Sequence, residues 1–166
     1  MSIFGVRARA LLSAALFVPP LVSFAVDPGA LWAEYPGILF HLSLLLLVPL
    51  LNAPTWARAA GYSWLAIDVL AGALLINNVS HDIADPVRLG GHILGGLWVA
   101  VASFHSTSLA IRVVGMVGGL WLGGYTFVAT IAPEGALAPA GILITVWLIL
   151  LAVIGVPQRA SFPMNL

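Results

Sequence analysis

Six apolar stretches, each about as long as a bilayer-spanning helix, limit the possible fold more than any other feature of this chain. They run Ala8–Val26, Gly37–Ala53, Ala59–Ser80, Leu89–Leu109, Ile111–Ala132 and Ala138–Val156. A helix needs about 20 mostly apolar residues to cross the hydrocarbon core of a membrane. Turn formers separate most of them: Asp27-Pro28-Gly29, Asn52-Ala53-Pro54, Asp85-Pro86 and Pro133-Glu134-Gly135. The runs are continuous and do not alternate with period two, which argues against a β-barrel. The pattern predicts an all-α membrane protein, a six-transmembrane-helix bundle forming one polytopic domain over residues 1–166.

Composition agrees with that reading. Charged residues make up 7% of the chain and hydrophobic ones 61%, where a water-soluble domain carries about a quarter charged residues. The net charge is zero and there is no basic run, so nucleic acid is not an expected partner. All six cations are arginines and cysteine is absent, which excludes disulfides and thiolate metal or redox chemistry. Without lysine there is no phosphate-binding GxxxxGK[ST] loop and no retinal-type Schiff base. No Gly-x-Ser-x-Gly elbow is present either.

Arginine placement orients the spans, because cations flanking a span stay on the cytoplasmic side. With the N-terminus inside, Arg7, Arg9, Arg58, Arg112 and Arg159 fall inside, without an acid among them. Asp27, Glu34, Asp82, Asp85 and Glu134 fall outside, and Arg88 is the only outside cation. Both termini are therefore expected in the cytoplasm, and the membrane is expected to be a bacterial-type inner membrane. The first span has a second reading. Arg7 and Arg9 precede a short apolar run that ends at the small-x-small sequence Ser23-Phe24-Ala25, and Pro19-Pro20 interrupts it. That is the layout of a cleavable signal peptide, which would leave five spans.

Small residues mark where membrane helices approach closely. Gly115, Gly119 and Gly123 recur at spacing four in the fifth span and continue through Thr126 and Thr130, while Gly91, Gly95, Ala102 and Ser106 line the fourth. The two stripes are expected to meet each other, or to receive a protein partner or a second copy. Arg58-x-x-Gly61 and Arg112-x-x-Gly115, with Gly37 and Gly91 equally far upstream, hint at a duplicated hairpin.

Few polar residues are candidates for chemistry. Asp68 is the one acid well inside a span, where a carboxylate must be protonated, paired or hydrated. It reads either as hydrogen-bonded glue or as a proton or cation relay. No lysine or arginine within the spans is available to pair with it. Toward the outer face, Asn77 and His81 are placed four apart on the third helix, with Arg88, His41 and His92 at similar depth. Asp68, Asn77, His81 and Arg88 form the candidate ligand or proton set. His41, His81 and His92 form a candidate metal set, and two of them could ligate haem b. No HExxH-like spacing supports that reading, so no cofactor is expected. His105 does not complete a second haem site, since it points about 140° away from His92. The sequence favours association or binding over catalysis: an accessory subunit or a binder of a hydrophobic ligand. A small ion-coupled transporter or channel using Asp68, and a redox or metal enzyme using the histidines, are the alternatives.

Overall fold

The computed structural model describes residues 3–27, 29–133 and 135–155, with side chains from residue 5 onward. Glu134, Val156 and Arg159 lie outside the described residues. Six α-helices follow one another: α1 (Ile3–Val26), α2 (Glu34–Leu45), α3 (Thr55–Ile76), α4 (His81–Phe104), α5 (Leu109–Tyr125) and α6 (Ala138–Ile154). Single 3-10 turns, Leu31–Ala33 and Val48–Leu50, flank α2. No strand occurs among the described residues. Four segments are long and apolar enough to cross a membrane: Gly5–Val26, Leu31–Leu50, Thr55–Ile76 and His81–Phe104. The two others, Leu109–Tyr125 and Ala138–Ile154, are shorter apolar helices.

Each helix packs on the one before it, and α6 returns to α1, so the helices close into a ring. Many large apolar side chains face outward, while the interior combines an apolar core with several buried polar residues. Leu39, Leu70 and Leu120 are 53%, 53% and 66% exposed, whereas Asp68, His92, Ser13, Ser43 and Ser103 are buried. α1 is an integral wall. It buries Val6, Ala10, Ser13, Ala14, Phe17 and Ser23 along one face; Ser13 shares a 2.7 Å hydrogen bond with Ser43 of α2, and Phe17 stacks on Phe40. Pro19 and Pro20 lie within it, depriving the Ala15 and Leu16 carbonyls of their helical donors.

One end of the ring is tied by arginines. Helices α2, α4 and α6 finish there with carbonyls that have no partner in their own helix. Arg9 donates to the Leu46 carbonyl (2.9 Å), Arg58 to Leu51 (3.3 Å), Arg112 to Ser106 (2.8 Å) and Arg7 to Ile154 (3.4 Å). At the other end α3 stops differently. Asn78 takes a left-handed conformation (φ 62°), its N–H bonds the Leu75 carbonyl, and the Val79 N–H bonds Leu74. This is a Schellman stop with asparagine in the position usually held by glycine.

Three sequence expectations change. Asn77 caps the end of α3 while His81 opens α4, so the two do not share a helical face. Asp85-Pro86 is not a turn but part of α4, which starts eight residues before Leu89. Pro86 removes only the hydrogen bond to the Asp82 carbonyl, and Asp82 is exposed, where water can satisfy it. The fifth helix ends at Tyr125; Thr126 and Thr130 lie in turns, and the Thr126 hydroxyl donates to the Leu89 carbonyl (2.8 Å).

The small residues set the helix spacing. A Cβ on Gly119 would lie 2.6 Å from the Gly96 carbonyl oxygen and 2.8 Å from the Ala100 nitrogen, so α4 and α5 touch backbone to backbone. The α4 face that meets α5 thus runs through Gly96, Ala100 and Ser103. Gly91 and Gly95 turn instead toward α3, against Ile67 and Trp64. Gly115 seats Ser103 and Trp147, and Gly123 lies near the Gly96 backbone. Since no side-chain motion relieves a clash with backbone, Gly119→Leu should lower the thermal unfolding midpoint clearly, by about 1–3 kcal/mol or more of stability. Leu120→Ala, on the exposed face, should leave the midpoint nearly unchanged. Equal behaviour of the two variants would mean that the α4–α5 approach is not this close.

Candidate functional site

Three neighbouring helices present complementary polar faces. On α2, Glu34 and His41 are seven apart, two helical turns along one side. On α3, Trp64, Asp68 and Gly72 follow at spacing four, and on α4 His81, Asp85, Arg88 and His92 follow at spacings four, three and four. In the ring α3 lies between α2 and α4, so residues from both reach its polar face.

Asp68 is the centre of this arrangement, with no exposed side-chain surface. Its Oδ2 accepts the Trp64 indole N–H at 2.5 Å, lies 2.9 Å from Nε2 of His41 and 3.7 Å from Nε2 of His92. The other nitrogen of His41, Nδ1, is 2.8 Å from the Gly37 carbonyl oxygen. A carbonyl oxygen only accepts, so Nδ1 carries a hydrogen. The contact between Nε2 and the carboxylate is then made by a single proton, held on His41 as an imidazolium or on Asp68 as a carboxylic acid. Either state removes the uncompensated charge that a buried carboxylate would otherwise impose.

A second pair lies closer to the open end. Arg88 donates from both terminal nitrogens to Glu34, at 3.0 and 2.5 Å, a bidentate fork with 25% and 14% of the two side chains exposed. Gly72 makes room for it: a Cβ there would lie 3.1 Å from Oε2 of Glu34 and 3.0 Å from Ile38.

Both pairs face a cavity of about 630 Å³ inside the ring, walled by Phe17 of α1, His41 of α2, Asp68 of α3, Arg88 of α4, Leu122 of α5 and Ile144 of α6. Exposed Gly29, His81, Asp82 and Thr130 border it, so it opens at the end opposite the capping arginines. Below the floor a file of rings crosses the bundle. His41 and Trp64 have centroids 5.5 Å apart, Trp64 and Trp98 6.0 Å, and Trp98 and Trp147 5.9 Å. Beyond them is a void of only about 10 Å³, lined by Asn52, His105, Ser106 and Trp147 among others. The vestibule is therefore open at one end and closed by indoles toward the other.

Neither a protein-family model, nor a curated protein, nor a solved structure matches this chain.

The candidate residues are placed as follows. Asp68, Arg88, His41 and His92 come together along one wall of the cavity, and His81 stands at its mouth, 3.1 Å from Asp85. Asn77 is exposed and donates to the Ala73 carbonyl. Among the described residues no three histidines or carboxylates are placed to hold one metal ion; His41 and His92 turn toward Asp68 while His81 is engaged with Asp85. Glu34 and Trp64 are the members of the site that the sequence reading passed over. The seven-residue step from Glu34 to His41 and the four-residue step from Trp64 to Asp68 are the signals that could have found them.

Asp68→Asn keeps an acceptor for Trp64 and should fold with little loss. Asp68→Leu strands the Trp64 N–H and the His41 Nε2, each worth about 1–3 kcal/mol when buried without a partner. Its thermal midpoint should therefore fall well below that of Asp68→Asn. Equal midpoints would show that the carboxylate does not hold the three helices together.

Proposed function

We propose that this chain is a multi-pass protein of a bacterial-type inner membrane, with six spans and both termini cytoplasmic, that binds a small, largely apolar ligand in the vestibule from the outer side. The observation that carries the reading is the vestibule itself, a cavity of about 630 Å³ with aromatic and aliphatic walls and a few polar groups converging on its floor. Concave, mostly apolar sites with a few fixed polar groups are where small ligands bind. The many exposed leucines, with Asp68 and His92 buried within, support placing the ring in lipid. The arginine bias supports the orientation. The glycine stripes, the basis for expecting a protein partner, are largely covered by neighbouring helices, Gly115 and Gly119 being buried. A second reading, a small ion-coupled transporter, is favoured by the single proton between His41 and Asp68.

Orientation is tested by single cysteines at exposed turn positions. Ser80→Cys should react with an impermeant maleimide from outside, and Asn52→Cys and Thr107→Cys should not; the reverse pattern would overturn the orientation. Binding is tested in nanodiscs with the neutral fluorophore N-phenyl-1-naphthylamine. Its emission should rise above that in protein-free discs, and Ala33→Trp, which fills the vestibule wall, should abolish the rise without lowering the thermal midpoint. An unchanged signal in Ala33→Trp would remove the vestibule as the binding site.

A further inference from the structure

The charges around the vestibule restrict what it can receive. Among the described residues lining it, four carboxylates (Glu34, Asp68, Asp82 and Asp85) face one guanidinium, Arg88, and that guanidinium is already forked onto Glu34. An anion entering here meets no free cation and must displace Glu34 to find one. The floor is also not fully committed. Oδ1 of Asp68, which lies toward Gly91, and Nδ1 of His92 are buried and have no hydrogen-bond partner among the described residues. The rings of Phe17, Phe40 and Trp64 also line the cavity, and aromatic rings attract cations.

The floor has room for one positive charge. Asp68 is faced by His41 from α2 and by His92 and Arg88 from α4, with Glu34 of α2 held on Arg88. Arg88 and Glu34 neutralise each other, which leaves the carboxylate with the single proton shared with His41. A cation lodged against His41 and the aromatic rings compensates the same carboxylate. Both positive charges together would leave the desolvated floor with an excess, which a low-dielectric site disfavours.

We propose that the vestibule takes a monovalent organic cation with an apolar body, and that this cation and the His41–Asp68 proton occupy the floor alternately. The inference rests on the vestibule being a binding site and adds the ligand class and its linkage to protons. When the cation enters, the proton on His41 Nε2 passes to water in the vestibule, Asp68 remains as carboxylate, and no other bond is made or broken. His81 and Asp85, with side chains 57% and 50% exposed, stand on the same α4 face as His92, between the floor and bulk water. The proton therefore exchanges with the open end.

The test uses three probes of similar shape on the full-length protein in nanodiscs: benzyltrimethylammonium, its neutral carbon isostere neopentylbenzene, and the anion benzenesulfonate. Binding is followed by tryptophan fluorescence, since Trp64 lines the floor, and proton release by a pH indicator in weakly buffered solution. Benzyltrimethylammonium should bind at least tenfold more tightly than either other probe and release up to one proton. Its Kd should fall as pH rises, by up to tenfold per unit while the floor pair is protonated. In Asp68→Asn the affinity should drop at least tenfold and the pH dependence should vanish. Should that variant fail to fold, proton release by the unaltered protein decides the matter. Binding of neopentylbenzene as tight as that of the cation, without proton release, would overturn the cation inference and leave the vestibule a binding site. Preference for benzenesulfonate would overturn it as well. If all three probes and the naphthylamine fluorophore fail to bind, the vestibule reading falls with it.

Discussion

A carboxylate with no exposed surface, surrounded on three sides by helices, dictates how those helices must sit. Asp68 is tolerable only while a proton and several donors surround it, and its partners come from three different elements: His41 from α2, Trp64 from its own helix, and His92 from α4. A buried polar group of this kind fixes rotation and depth together. A turn of α2 by one residue about its axis would move His41 by about 100°, away from Oδ2, and would also draw Glu34 from Arg88. The two ion-pair layers therefore act as a register for α2, α3 and α4, where greasy surfaces alone would let the helices slide.

Close packing of large rings against glycine does the corresponding work elsewhere. Gly61 of α3 seats Trp98 of α4, Gly95 of α4 seats Trp64 of α3, and Gly115 of α5 seats Trp147 of α6. Each indole fills the gap left by a missing side chain on the adjacent helix, so the three rings meet in file along the bundle's interior. The twin Arg-x-x-Gly motifs fit the same plan. Arg58 and Arg112 each fold back onto a carbonyl of the preceding connection, and the glycine three residues later receives an indole from the next helix. This seal limits the vestibule to one end.

What the sequence revealed depended on how local the cause was. All-helical character follows from continuous apolar runs, and the inward orientation of Asp68 follows from Trp64, Leu65, Ala71 and Gly72 around it. The pairing of Asp68 with His41 and His92 is hidden in the sequence because the apolar runs place both histidines at span entrances, at a different depth from Asp68. Read as a turn, Asp85-Pro86 pushes the start of the fourth helix to Leu89, leaves Asp85 and Arg88 in a loop, and puts His81 on the third helix and His92 on the fourth. Read as helix, the same residues line up on one face. A proline near a helix start loses one hydrogen bond to an exposed carbonyl, too little to stop the helix once Arg88 has its partner on α2. The glycine stripe of α4 had a similar fate. Gly95 and Gly96 are adjacent, and only the position of the neighbours decides that the first faces α3 and the second α5.

The charge asymmetry that suggests an orientation in the membrane also has a mechanical role. Arg7, Arg9, Arg58 and Arg112 sit on α1, α3 and α5; Arg7 and Arg9 tie α1 to the ends of α6 and α2, while Arg58 and Arg112 fix the connections that precede their own helices. The carbonyls at the ends of α2 and α6 that Arg9 and Arg7 reach lie at the negative end of the helix dipole, which favours a cation. At the opposite end, α3 stops through its own Asn78 turn and α5 through successive turns that include Thr126. No described arginine caps a helix at that end, because Arg88 is turned inward onto Glu34. One end of the ring is thus cross-tied by guanidinium groups, while the other directs its polar side chains inward. The opening is bordered by acids at that end, while toward the arginine end the packed indoles close it. Moving an arginine between the ends would therefore disturb the packing as well as the charge bias.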